Sequence, residues 1–231
     1  MALFKLGAFA EYLTGKAGNT VFARTKSGTV ARDFVIPTNP NTDAQQFVRN
    51  NLTDSSTTWR TMSAIRVKAW NQYAKNIKRR SRGGQLRSMN GINAFTALTT
   101  KFLQVNPNGV IPMDPPVAPF KGDPISLSAT AGVGEIEFTS DGNNSNNVKT
   151  EILLQPLASA NRKPQKGGYI SHGFFKMQAG NPVSVSVPTG HYAAAYRFVN
   201  TQTGQDTGMR FLPVLTVAIS ISTPVKSKKA A

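Results

Sequence analysis

The sequence contains no cysteine. Disulfides, thiolate nucleophiles and thiolate metal ligands are therefore excluded, although the absence says nothing about the redox compartment. Histidine is nearly absent too, since only His172 and His191 occur, far apart and without a partner at helical spacing. No carboxylate lies near His172 in sequence to orient it as a base. We interpret both histidines as ordinary edge or turn residues.

Long apolar runs are also missing. No stretch approaches the roughly 20 residues that a membrane-spanning helix needs. The one apolar stretch near the beginning, residues 1–13, is interrupted by Lys5 and Glu11. We therefore expect no signal peptide, no transmembrane segment, and a cytoplasmic or virion location.

Motifs for catalysis or metal binding are lacking. Residues 15–19 (GKAGN) do not form a phosphate-binding loop, because the glycine spacing is wrong and no Ser or Thr follows the lysine; a tight turn before a strand is the better interpretation. Glu135 and Glu137 alternate with Ile136 and Phe138, the pattern of a solvated strand face. We expect no catalytic residue, no metal, no cofactor and no small-molecule substrate. The sequence predicts a protein that is not an enzyme.

Acidic residues are scarce and unevenly placed. The chain carries 27 Lys and Arg against 11 Asp and Glu, a net charge of +16. Residues 1–104 hold sixteen cations and four acids, residues 105–222 hold eight and seven, and residues 223–231 add three lysines. This asymmetry indicates a polyanionic partner for the N-terminal half. A solvated basic surface with no partner is the alternative.

Proline clusters at one place. Residues 105–124 contain six prolines, which remove amide donors and fix φ, so neither a helix nor a central strand can continue through them. We predict an extended linker here, between a basic domain at 1–104 and a β domain at 125–222, followed by a basic tail at 223–231.

The N-terminal half predicts a hairpin followed by helices. Two β-type runs, 20–24 and 29–35, are joined by a loop that ends on Gly28. Asn41 or Thr42 can cap a first helix that ends near Met62. A second helix follows Ser63, and a third covers residues 93–103, with Phe95, Leu98 and Phe102 on its inner face.

Spacing indicates which helical residues face the core. The first helix places one stripe at Val48, Leu52, Ser55, Trp59 and Met62, and the second at Trp70, Tyr73, Ala74 and Ile77. Large aromatic side chains mostly serve burial, so we expect the two tryptophans to pack on each other.

After the linker, apolar and polar residues alternate with a period of two residues. Six runs read as strands, at 125–129, 135–138, 150–154, 183–187, 192–199 and 215–221. The fold class that we predict is α+β with two domains, an N-terminal hairpin-plus-helices domain and a C-terminal antiparallel β-sandwich.

Residues 187–200 (VPTGHYAAAYRFVN) resemble the turn into the penultimate strand of a fibronectin type III domain. The resemblance covers residues 124–222 and implies an immunoglobulin-like sandwich. It also implies that the Tyr192 hydroxyl pins the corner to nearby backbone. The family buries a tryptophan on an early strand, which this half lacks; Phe138 could take that place. Such sandwiches host many unrelated roles.

The N-terminal half resembles a set of uncharacterised bacterial and phage-associated proteins. The resemblance rests on residues 15–22 (GKAGNTVF), 37–49 (PTNPNTDAQQFVR) and 91–95 (GINAF), together with Arg32, Trp59, Arg66 and Trp70. It implies a bacterial or phage setting and a role in an assembly.

The strongest functional signal is a run of six cations without an acid. These residues are Lys75, Lys78, Arg79, Arg80, Arg82 and Arg87, which we place at a helix end and in a flexible loop closed by Gly83 and Gly84. Cations neutralise phosphates without reading sequence, and arginines grip phosphate with two hydrogen bonds. We therefore predict nucleic-acid phosphate as the partner of this cluster. An acidic protein surface or an anionic membrane is the open alternative.

Three functions follow from these observations. The first is a self-associating virion or filament structural protein whose basic half faces nucleic acid. The second is a nucleic-acid-binding accessory protein without sequence preference. An enzyme acting on a polyanion is the least supported, because no acid–base pair or metal set is present.

Overall fold

The structure, a computed structural model, describes residues 2–4, 13–25, 28–80 and 86–218, without the side chains of 2–4, 79 and 80. Contacts divide the chain into two compact units, Met1–Gln46 and Phe47–Ala231. The described residues form three helices and four antiparallel sheets, so a mixed helix and strand composition is confirmed, with strands predominating. Among these residues no helix has the length and apolar character needed to cross a membrane.

The first unit is built on a four-stranded sheet with the order β1-β4-β3-β2. Its strands are β1 (Ala2–Phe4), β2 (Gly15–Ala17), β3 (Thr20–Thr25) and β4 (Gly28–Asp33). The predicted hairpin is confirmed as β3 and β4, and the tight turn at residues 18–19 joins β2 to β3. Gly18 has a φ of 58°, a conformation that glycine adopts without strain.

Three helices follow, close to the predicted bounds. They are α1 (Asp43–Thr61), α2 (Ala64–Asn76) and α3 (Gly91–Val105). Thr42 Oγ1 accepts a 3.4 Å hydrogen bond from the Gln45 amide at the start of α1, so the predicted cap is present. The Asn71 side chain on α2 accepts a hydrogen bond from the Gly91 amide, which satisfies a free donor at the start of α3.

The helices share an aromatic core centred on Phe95, which is fully buried. Trp70 packs edge-on against Phe95 at 5.2 Å between ring centroids, and Trp59 contacts the same ring at 5.6 Å. The tryptophans therefore belong to one core as predicted, but each packs on Phe95 from the third helix.

The prediction that one apolar stripe of α1 faces the core is wrong for the first half of the helix. Ser55 is buried and Trp59 packs on the aromatic core, but Val48 is 56 % exposed and Leu52 is 50 % exposed. Of the apolar stripe residues that the structure describes on α1, the aromatic core includes Trp59, near the C-terminal end of the helix. Regular helical spacing therefore extended the predicted stripe beyond the elements that bury it.

Two short strands, β5 (Lys78–Arg80) and β6 (Leu86–Ser88), lie between α2 and α3, and seven strands follow α3 in two antiparallel sheets. A three-stranded sheet has the order β11-β8-β7 and a four-stranded sheet has the order β10-β9-β12-β13. One core fills the space between them, and it includes Phe138, Ile152 and Phe198, all fully buried. The strands are β7 (Leu127–Ala131), β8 (Glu135–Ser140), β9 (Val148–Leu157), β10 (Ile170–Phe175), β11 (Val183–Ser186), β12 (Gly190–Asn200) and β13 (Arg210–Val217).

Two of these strands differ from the prediction. β10 was missed because it is an exposed edge strand with a register shift between Ser171 and Gly173, which interrupts any alternating pattern. β13 begins at Arg210, five residues before the predicted start. It contains Pro213, which is tolerated there because β13 is the edge of its sheet.

The hydroxyl of Tyr192 donates a 2.9 Å hydrogen bond to the carbonyl of Pro188. This is the backbone contact that the sequence predicted for Tyr192, and it ties the start of β12 to the preceding turn. Phe138 lies fully buried on β8, on the early part of the β region where the sequence placed it.

The proline-rich segment lies against both neighbours. The Trp70 indole donates to the carbonyl of Met113 at 2.9 Å, and the Gln205 amide donates to the carbonyl of Ala118 at 3.2 Å. At its end, Asp123 is buried and accepts hydrogen bonds from Ser145. The division at residues 104 and 124 remains a prediction, and these contacts lie inside the second compact unit.

Helix α3 also packs directly on the four-stranded sheet and its loops. The Asn106 side chain donates a 2.7 Å hydrogen bond to the carbonyl of Thr201, just after β12. Gly204 has a φ of 71°, and a Cβ atom there would collide with the carbonyl oxygen of Leu98 on α3. This loop and α3 therefore approach each other as closely as two backbones can.

A buried carboxylate fixes the same contact. Glu151 on β9 is only 1 % exposed, and it accepts hydrogen bonds from Arg197 on β12 at 2.6 Å and from Lys101 on α3 at 3.1 Å. Arg197 also pairs with Asp206 at 2.7 Å. The group that we call the Glu151 cluster comprises these four side chains, and it joins the helices to the sheet.

Burial alone would raise the pKa of Glu151, but the Arg197 hydrogen bond and the Lys101 charge outweigh it and hold that pKa below its ordinary value. Burial lowers the pKa of Lys101, and the attraction of Glu151 offsets this only in part. Glu151 therefore favours the folded state at neutral pH. Its contribution fades as the pH falls below the ordinary glutamate pKa of about 4.3.

Replacing Glu151 with Gln should lower the free energy of unfolding at pH 7 by about 3–5 kcal/mol, because two partly buried cations lose the buried carboxylate that both contact. Lys101→Met should cost clearly less, since Glu151 keeps Arg197 and a desolvated ammonium is removed. Urea denaturation of both variants measures the difference. Equal losses would show that Lys101 and Glu151 act only as a simple pair.

Candidate nucleic-acid interface

The basic run forms a β-hairpin where a helix end and a flexible loop were expected. α2 ends at Asn76, and the next residues pair as two short antiparallel strands, Lys78–Arg80 and Leu86–Ser88. We call this element the basic hairpin. The amide of Met89 donates to the carbonyl of Ile77 at 3.3 Å and closes its base. The helix end is therefore confirmed at Asn76, whereas the expectation of a loop is wrong for residues 78–80 and 86–88, because cross-strand pairing satisfies their backbone groups.

The basic hairpin brings most of the predicted cationic residues together. Lys75 is exposed in the last turn of α2, directly before the hairpin, and Lys78 is exposed at its first position. Arg79 is paired in register with Arg87, whose side chain is also exposed. The side chains of Arg79 and Arg80 and the whole of Arg82, Gly83 and Gly84 lie outside the described residues.

A second set of polar and cationic side chains lies along α2. Lys68 and Lys75 are seven residues apart, so they lie on one face of the helix, with Asn71 and Gln72 between them. These residues, with Met62 and Val67, line an open groove of about 750 Å³. Lys68 was not among the predicted site residues, although its spacing from Lys75 could have identified it.

The charge distribution in the sequence around this groove is more uneven than the composition of the N-terminal half as a whole indicates. Residues 55–113 contain ten Lys and Arg and no Asp or Glu. Any carboxylate partner for these cations must therefore come from outside the segment, as Asp114 does for Arg66 at 3.0 Å and Glu151 does for Lys101. The hairpin and the exposed face of α2 both lie within this acid-free segment.

A cleft with both apolar and polar lining residues adjoins the base of the basic hairpin. It has a volume of about 450 Å³ and is lined by Tyr73 and Ile77 from the end of α2, by the proline-rich segment from Pro116 to Phe120, and by Gln205 and Asp206. Tyr73 is held from two sides, since its ring packs edge-on against Trp70 and its hydroxyl accepts a hydrogen bond from Gln205.

The two histidines and the glutamates Glu135 and Glu137 lie on strands of the β region. His191 Nδ1 lies 2.9 Å from Thr216 Oγ1 on the neighbouring strand, and His172 is exposed on the edge strand β10. Glu135 and Glu137 lie opposite Ser186 and Ser184 in the three-stranded sheet. Across the described parts of the chain, no three His, Asp or Glu side chains come close enough to share a metal ion.

Comparison with known proteins leaves the interface as the main guide to function. The chain matches no protein-family model, no curated protein sequence and no solved structure.

Proposed function

We propose that this protein is a non-enzymatic structural component of a virion or filament, and that the basic hairpin and the α2 groove bind the phosphate backbone of nucleic acid. The observation that carries this proposal is the exposed hairpin in an acid-free segment of ten cations. Positions 79 and 87, both arginine in the sequence, lie directly opposite each other in the strand register. A polyanion along the hairpin is attracted by its cations and releases its own counterions.

The same geometry favours phosphate over bases at the hairpin. Residues 78–88 contain no aromatic side chain on which a base could stack. Contacts with phosphate carry no sequence information, so binding there is indifferent to sequence and falls steeply with salt.

The C-terminal sheets support the other half of the proposal. A three-stranded and a four-stranded sheet around one core, with a tyrosine that bonds back to the turn before its own strand, support a fibronectin type III or immunoglobulin-like sandwich. We propose this fold for residues 125–222, of which 219–222 lie outside the described residues, and we propose that the sandwich faces a neighbouring subunit or solvent. A phage or bacterial setting follows only from the sequence resemblance.

A second candidate function, an accessory protein that coats or compacts nucleic acid, uses the same interface without self-association.

The exposed apolar stripe on α1 favours the assembly role. Phe47, Val48 and Leu52 are each more than one third exposed, and exposed apolar side chains on one helix face mark an interaction surface. We propose that a second copy of this chain covers the stripe.

Replacing Lys78, Arg79, Arg80 and Arg82 together with Gln should weaken binding to nucleic acid at least tenfold. The slope of log affinity against log salt should flatten by about 3, because four phosphate contacts disappear. Fluorescence anisotropy with a labelled oligonucleotide across a salt series measures both quantities.

The control removes the same charge elsewhere. Lys121, Arg162, Lys163 and Lys166 are exposed. Their replacement with Gln also lowers the net charge by four. If both variants lose affinity equally, overall charge drives binding and the basic hairpin is not the site.

Light scattering after size-exclusion chromatography tests the α1 stripe. The unaltered chain should elute as a species heavier than 24.9 kDa. Val48→Glu combined with Leu52→Glu should shift it toward the monomer, because buried charges destabilise an apolar interface. Thr53→Glu combined with Thr57→Glu places the same charges at exposed positions of α1 and serves as the control. A strict monomer at high concentration, with and without nucleic acid, would contradict the assembly role.

A further inference from the structure

The cleft beside the basic hairpin has the properties of a binding site for a flat, uncharged group. Its volume of about 450 Å³ is within the usual range for ligand sites, and its walls combine aromatic and aliphatic surface with a few polar groups. Asp206 is one of its lining residues, and a negative charge at that position disfavours a phosphate inside the cleft. A charged backbone therefore belongs on the hairpin, and an uncharged ring belongs in the cleft.

The cleft and the hairpin are continuous in the chain and in space. Ile77 lines the cleft, and its carbonyl accepts the hydrogen bond from Met89 that closes the hairpin base. Lys78, the first cation of the hairpin, is the next residue. A polymer that alternates charged and aromatic groups can thus contact both surfaces at once.

The walls of the cleft are held in place before any ligand arrives. Tyr73 is fixed by the edge-on contact with Trp70 and by the Gln205 hydrogen bond, and Gln205 also holds the carbonyl of Ala118. Asp206 is paired with Arg197 of the Glu151 cluster. Pro116 and Pro119 limit the backbone on the remaining side. Such a preformed site needs little ordering when it binds.

We propose that the cleft receives an unstacked nucleobase, so that the interface as a whole binds single-stranded nucleic acid, with phosphates on the basic hairpin and a base between Tyr73 and the proline-rich segment. This inference rests on the proposed function and goes beyond it, because phosphate contacts alone do not distinguish a single strand from a duplex. A base in a duplex is stacked and cannot enter the cleft without being flipped out.

The test compares two probes on the unaltered, full-length protein. One is a short labelled oligothymidylate, and the other is a sugar–phosphate strand of the same length that lacks bases. Stacking of a base on an aromatic side chain should make the intact strand bind at least about fivefold more tightly. Equal affinity for the two probes would overturn the base site and leave the proposed phosphate binding standing. Failure to bind either probe would overturn both.

The variant Ala118→Trp tests whether the bases contribute to affinity by binding in the cleft. Ala118 is exposed and lines the cleft, so a tryptophan there fills the space for a base. The variant should bind the intact strand only as tightly as the unaltered protein binds the strand without bases, and its affinity for the latter should not change. Val110→Trp places the same side chain at a position that is 91 % exposed, in the same segment but away from the cleft, and should retain the difference. A difference that persists in Ala118→Trp would place the bases elsewhere and overturn the proposal.

Discussion

The second compact unit depends on one buried carboxylate. Glu151 has almost no contact with solvent, and Arg197 and Lys101 stabilise it there through hydrogen bonds from a neighbouring strand and from α3. Two cations for one carboxylate, with Asp206 paired to Arg197, bring the Glu151 cluster close to neutral. Helix α3 is therefore joined to the four-stranded sheet through Lys101, while Arg197 holds the same carboxylate from within the sheet.

That connection explains how a small hairpin can be a defined binding surface. An isolated two-stranded hairpin is marginal in water. Here its two strands leave from the end of α2 and enter α3, and these helices share the aromatic core around Phe95. The same helices carry Tyr73, which lines the cleft, while Asp206 of the Glu151 cluster lines its other side. The groove, the hairpin and the cleft thus rest on one packed framework.

Sequence patterns predicted the parts of this fold in which local spacing and burial agree. The bounds of α1 and α2, the first hairpin and five of the seven strands after residue 124 follow from periodicity and from turn residues. The predictions that were wrong concern residues whose environment depends on contacts with other elements of the fold. Val48 and Leu52 continue a helical stripe that the aromatic core does not bury. β10 is an irregular edge strand. The basic hairpin forms because residues 78–80 pair with residues 86–88. The Glu151 cluster and the cleft join residues far apart in sequence, which no local pattern reveals.

Photochemical cross-linking of the full-length protein to a single-stranded oligonucleotide, followed by mass spectrometry of the peptides, tests the central claim most directly. The account predicts that the cross-linked peptides come from residues 64–88 and from the segment around residues 116–120. Cross-links confined to residues 125–231, apart from Gln205 and Asp206 in the cleft, would contradict it, because the nucleic acid would then lie elsewhere on the β region or on the basic tail.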